Sequence, residues 1–99
     1  MKLFRQKVSE DQRLVILRLL NEQPDYSLNA SLLQDGLAIV GHKISRDQVL
    51  GQLDWLSAQG LVTQRAEGAV RVATLTQDGV DVATGARVVT GVKRPRPEL

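Results

Sequence analysis

The sequence predicts a single α+β domain: a set of helices, then a β-hairpin, then one short closing helix. Three observations carry this. Before residue 60 the leucine-rich segments repeat their apolar residues at helical spacing and begin with capping signatures. Residues 61–75 instead carry β-formers on both sides of Glu67 and Gly68. A chain of 99 residues with 42% hydrophobic side chains can bury one core but not two.

Ser9 and Gln12 have the spacing of a capping box, with Glu10 and Asp11 where the helix dipole favours acids. Leu14, Val15, Ile16, Leu17, Leu19 and Leu20 follow as a broad apolar face, and Pro24 ends the pattern. A first helix is expected over about 10–22. Asp25, Tyr26 and Ser27 suit a short extended segment. Ser27 or Asn29 caps a second helix of about 29–40, whose apolar residues are Leu28, Leu32, Leu33, Leu37 and Val40. Gly36 weakens that helix by about 1 kcal/mol relative to alanine. Gly41 stops it, and His42 to Ile44 form a turn.

The third helix, about 46–59, is the best marked. Ser45 and Gln48 form a capping box, Val49, Leu50, Leu53 and Leu56 define its buried face, and Gly60 supplies a left-handed stop. Strands are expected over about 61–65 and 69–75, turning at Glu67 and Gly68. Thr76 can cap a last helix of about 77–84, ended by Gly85. Gly91 to Leu99 holds two prolines and three cations, a composition for an extended, mobile tail. The expected organisation is a basic N-terminal extension (1–8), a folded body (9–88) and a basic, proline-containing tail (89–99).

The net charge is +2, but it is unevenly placed. Residues 9–88 carry seven Lys/Arg against ten Asp/Glu, residues 1–8 three cations, and residues 89–99 three cations and one acid. With no cysteine, disulfides, thiolate catalysis and thiolate metal sites are excluded. No apolar run reaches the roughly 18 residues of a membrane span, and the charged N-terminus is unlike a signal sequence, so the expected location is the cytoplasm without membrane contact. No glycine-rich phosphate loop or clustered metal-ligand motif occurs, and lone His42 has no nucleophile spaced to it. An enzyme, a cofactor and a bound metal are therefore not expected.

The third helix running through Gly60, Leu61 and Val62 into a hairpin resembles the recognition helix and wing of a winged helix-turn-helix domain. Leu53 and Leu56 before that junction, and Leu75, Thr76 and Gly79 after the hairpin, are similar to regulators of the broad ArsR/MarR-like type. The chain more closely resembles small winged-helix proteins of Mu-like phages and prophages. That likeness rests on Ser27, Leu28 and Asn29 before helix two, Ser45, Arg46 and Asp47 opening helix three, and Leu53, Trp55 and Leu56 within it. It continues through Ala83 and Gly85 to the tail from Gly91 through Lys93, Arg94, Pro95, Arg96 and Pro97. The metal-sensing cysteines of many ArsR-type proteins are absent.

The resemblance implies a three-helix core, a two-stranded wing with a short third strand, and a short C-terminal helix. In such a domain the first turns of helix three enter the major groove. Here that surface comprises Lys43, Ser45, Arg46, Gln48 and Gln52, with Arg65 and Arg71 on the wing. Glutamine can bond adenine at two points, and arginine can read guanine or hold phosphate. Lys93, Arg94 and Arg96 can follow a phosphate backbone; they equally suit a docking peptide or a solubilising tail. Trp55 lies off the Val49, Leu53 and Leu56 face, so it either packs on the wing or C-terminal segment or marks an interface. The expected function is double-stranded DNA binding in phage or prophage transcription control, as a homodimer on a two-fold site. The alternative is a winged-helix protein-interaction module binding a phage or host protein in development or assembly without touching DNA.

Overall fold

The computed structural model describes residues 3–96. Its elements in chain order are α1 (Phe4–Asn21), β1 (Ser27–Asn29), α2 (Ala30–Ile39), α3 (Arg46–Ala58), β2 (Val62–Glu67), β3 (Val70–Leu75) and α4 (Gln77–Thr84). The three strands form one antiparallel sheet in the order β1-β3-β2. Ser27 lies opposite Thr74, and their hydroxyls are 2.6 Å apart. The hairpin pairs Val62 with Leu75 through Glu67 with Val70, turning at Gly68 and Ala69. This is the winged-helix arrangement.

Ile16, Leu17 and Leu20 of α1, Leu33 and Leu37 of α2, and Val49, Leu53 and Leu56 of α3 are fully buried in one cluster. Leu61, Val62, Leu75 and Val82 close it from the wing root and α4. Full burial of such a side chain contributes about 1.5–3 kcal/mol relative to exposure.

The caps of the later helices match the sequence expectation. Asn29 accepts the Leu32 N–H at 2.8 Å, and Thr76 accepts the Gly79 N–H at 3.1 Å while donating to the Gly60 carbonyl at 2.8 Å. At α3, the Gln48 N–H donates to Ser45 Oγ at 3.2 Å and the Ser45 N–H donates to Gln48 Oε1 at 2.9 Å. Gly36 has a packing reason: a Cβ there would lie 2.6 Å from Leu19 Cδ1.

Three local expectations are corrected. The first helix starts at Phe4 rather than near residue 10, so Ser9 is an interior position and no cap. Leu3 precedes the helix instead, and Gln6 Oε1 accepts the Leu3 N–H at 2.9 Å. Nothing in Phe4–Val8 breaks a helix, and Ser-x-x-Gln spacing occurs inside helices as readily as at their starts. The short strand lies at Ser27–Asn29, because the backbone first turns through Tyr26 at φ 61. His42 does lie in the expected turn, with its Nε2 2.6 Å from Asp11 Oδ2. The C-terminal segment does not wave free from its first residue: Val92 is buried, and the Lys93 N–H donates to the Glu10 carbonyl at 3.1 Å.

Candidate nucleic-acid interface

Helix α3 is held by its apolar stripe and leaves Asp47, Gln48, Gly51 and Asp54 exposed on its outer surface. Its capped N-terminus follows directly from the turn containing Lys43, which is also exposed. Arg46 leans toward α2, its Nε donating to Gln34 Oε1 at 2.8 Å, while Gln34 Nε2 donates to the Ile44 carbonyl at 3.0 Å. It borders a cleft of about 200 Å³ whose other walls include Ser31, Leu50, Val70 and Arg71. The structure thus gathers Lys43, Ser45, Arg46 and Gln48 at one end of α3 with Arg71 across a narrow gap.

Gln52 does not belong to that surface. It is 9% exposed; its Oε1 accepts from Arg13 Nε at 2.8 Å, and its Nε2 donates to Gln12 Oε1 at 3.0 Å. Position 52 sits one turn after Val49 and one turn before Leu56, on the buried stripe, so the amide faces α1. Gln12 stands likewise on α1's buried side, one turn before Ile16. A glutamine on each apolar stripe is a readable signal that two polar side chains meet inside.

The wing lies against one flank of α3. Arg71 Nη1 donates to Asp54 Oδ1 and to Gln64 Oε1, both at 3.1 Å, and Gln64 Nε2 donates to Asp54 Oδ1 at 3.0 Å. Arg65 Nε pairs with Glu67 Oε1 at 2.8 Å. Both wing arginines are therefore matched to carboxylates of the same surface, in pairs open to solvent.

The opposite flank meets α1 and the C-terminal segment. Arg13 stacks over Trp55, its guanidinium carbon 3.9 Å from the ring centroid, and Nη1 donates to the Gly91 carbonyl at 2.9 Å. Partial burial lowers the Arg13 pKa, with Glu10 opposing. Trp55 thus packs on the C-terminal segment, the first of the two roles its position suggested. Asp11 joins two further groups: Oδ2 meets His42, and Oδ1 accepts from Lys93 Nζ at 3.2 Å. Partial burial raises the Asp11 pKa, but hydrogen bonds from His42 and Lys93 and their charges outweigh it, leaving the carboxyl below its usual value. Arg94 and Arg96 continue from Lys93 and are exposed.

Gly51 is the residue that sequence reasoning passed over. It lies mid-helix on the exposed face of α3, with no atom within 4 Å of where its Cβ would be. Unlike the other glycines, it has neither a positive φ nor a close neighbour to require it. Among the described residues, no group of three or more His, Cys, Asp or Glu side chains could hold a metal ion, and no helix is long and apolar enough to cross a membrane.

Over 90 residues the chain is 52% identical to the uncharacterized protein gp26 of Escherichia phage Mu, covering 91% of this chain and 93% of that protein. The chain belongs to the phage Mu gp26 family. An uncharacterized protein of Haemophilus influenzae strain Rd is 42% identical over 96 residues, covering 96% of this chain and 93% of its own length. No protein-family model matches. Among solved structures, a MarR family transcriptional regulator from Streptomyces coelicolor superposes with a TM-score of 0.64 at 27% identity. The match covers 75% of this chain but 49% of the regulator, so it spans about half of that protein.

Proposed function

We propose that this protein is a phage or prophage transcription regulator that binds double-stranded DNA, inserting the first turns of α3 into the major groove. The observation that carries the reading is the exposed, polar, capped start of α3. Lys43, Ser45, Arg46 and Gln48 stand together there on the element that a winged helix presents to DNA. The likeness to a MarR family transcriptional regulator supports the same role. Arg46 can turn its terminal guanidinium N–H groups to a base edge or phosphate while Nε holds Gln34, and Gln48 Oε1 can accept from a base by releasing the Ser45 N–H. Arg65 and Arg71 contact backbone by exchanging Glu67 and Asp54 for phosphate. A homodimer on a two-fold site doubles the surface and supplies affinity that one small module lacks. The protein acts by binding rather than catalysis, in the cytoplasm where the phage genome is transcribed.

A second reading has its own observation. The outer side of α2 exposes Leu32, Ile39 (85% exposed) and Val40, which suits a protein-interaction module. Titrating a labelled random duplex into the protein at about 50 and 200 mM salt separates the readings. DNA binding predicts salt-sensitive association weakened by Arg46→Ala. Association indifferent to both changes rejects α3 as the contact.

A further inference from the structure

The C-terminal segment is latched before its cations begin. Gly91 adopts φ +100 against Trp55; a Cβ there would lie 2.5 Å from Trp55 Cζ2, so another residue cannot take its place without displacing the ring. Arg13 bridges the two, stacking on Trp55 and holding the Gly91 carbonyl. Val92 is buried, and Lys93 is fixed twice, by its backbone to Glu10 and by its ammonium to Asp11. Asp11 in turn holds His42, next to Lys43 at the start of α3. From this latch the chain runs along α1 to Gly85, where Pro95 Cγ comes within 3.8 Å of that glycine's Cβ position.

An open groove of about 1200 Å³ lies between α1, the end of α4 and this segment. Lys7, Lys93, Arg94 and Arg96 line it together with Glu10. The cationic strip reaches the start of α3 through the Lys93, Asp11 and His42 contacts, and it lies on the flank of α3 opposite the wing.

An α-helix of about 10–12 Å diameter fills the roughly 12 Å major groove, so elements on its two sides face the two backbones that bound the groove. We propose that Gly91–Arg96 is a docked arm that grips the phosphate backbone on the side of α3 away from the wing, with Arg94 and Arg96 as its phosphate ligands. This rests on α3 entering the major groove. An acidic peptide offers the groove similar charge, but the continuity with the start of α3 favours the duplex.

The test uses the full chain and a random 24-base-pair duplex across a salt series. Each lost phosphate contact flattens the plot of log K against log salt by about 0.9. Arg94→Ala with Arg96→Ala is expected to flatten it by about 2, and Arg46→Ala also weakens binding. Gly91→Ala, with folding checked by circular dichroism, is expected to weaken binding and flatten the plot as well, because it dislodges an arm whose cations are all still present. An unchanged slope in the double variant, while Arg46→Ala still weakens binding, overturns the arm and leaves the α3 reading standing. Wild-type slope in a folded Gly91→Ala protein overturns the docking. A polyglutamate peptide that binds through Arg94 and Arg96, with DNA binding unaffected by their loss, overturns the arm in favour of an acidic partner. No duplex binding by the wild type overturns both readings.

Discussion

The two flanks of α3 use their cations in opposite ways. On the wing side, Arg71 is matched by Asp54 and Arg65 by Glu67. On the other side, Arg13 is spent on packing Trp55 and Gly91, and Asp11 secures Lys93, while Arg94 and Arg96 continue exposed beyond the latch. Net charge cannot distinguish these flanks. What decides the field a partner meets is which acid stands beside which base. The wing arginines are held by carboxylates of their own surface, whereas Arg94 and Arg96 stand exposed past the contacts that fix the segment.

The largest effect is expected from removing the latch. Trp55→Ala removes a half-buried aromatic, its stacking with Arg13 and the wall against Gly91, and should destabilise by about 2–3 kcal/mol in urea unfolding. Tryptic cleavage after Lys93 and Arg94 should accelerate at the same time. A loss below about 0.5 kcal/mol would make the two flanks equally loose and end the contrast.

Next in size, Asp54→Asn combined with Glu67→Gln releases both wing arginines. Solvent-exposed pairs contribute at most about 1 kcal/mol each, so folding should change little. Duplex affinity should rise several-fold and its salt dependence should steepen. Unchanged DNA affinity would place the wing outside the contact.

Gly51→Ala separates stability from binding. Alanine in an exposed helix interior should stabilise the fold by about 1 kcal/mol, since nothing surrounds the new methyl group. If a duplex approaches the bare backbone of α3 there, the same change weakens DNA binding. A variant both more stable and equally tight would remove Gly51 from the interface.

The smallest effect follows from Asp11. Its carboxyl pKa is lowered in the folded protein, so its stabilising contribution is present above the unfolded value near 4 and is lost as pH falls through the folded one. The stability difference between wild type and Asp11→Asn should shrink from pH 6 toward pH 3. A difference independent of pH would assign no role to ionised Asp11.

Much of the scaffold is readable from sequence because local signals agree with it. The Ser45 and Gln48 box, the Asn29 and Thr76 caps and the glycine stops at 60 and 85 mark elements that packing then confirms. The start of α1 misleads because Ser9 and Gln12 imitate a cap inside a helix. The candidate surface is less legible. Lys43, Ser45, Arg46 and Gln48 share one end of α3 as the pattern implies, yet Gln52 turns inward to a polar cluster formed with Gln12 and Arg13, residues 40 and 39 positions away. The latch joins Arg13 to Gly91 across 78 positions, and no local periodicity encodes such a pairing. Gly51 is visible in the sequence but acquires meaning only when its surroundings prove empty.

In the proposed function, the polar start of α3 is the DNA-contacting surface. Backbone amide chemical-shift mapping of the ¹⁵N-labelled protein against an unlabelled duplex tests it most directly. Contact through α3 is expected to concentrate shifts at residues 43–54, with weaker ones at the wing residues 65–71 and at 93–96, and little change along α2 at Leu32, Ile39 and Val40. Shifts confined to α2, or absent from α3 at saturating duplex, would contradict it.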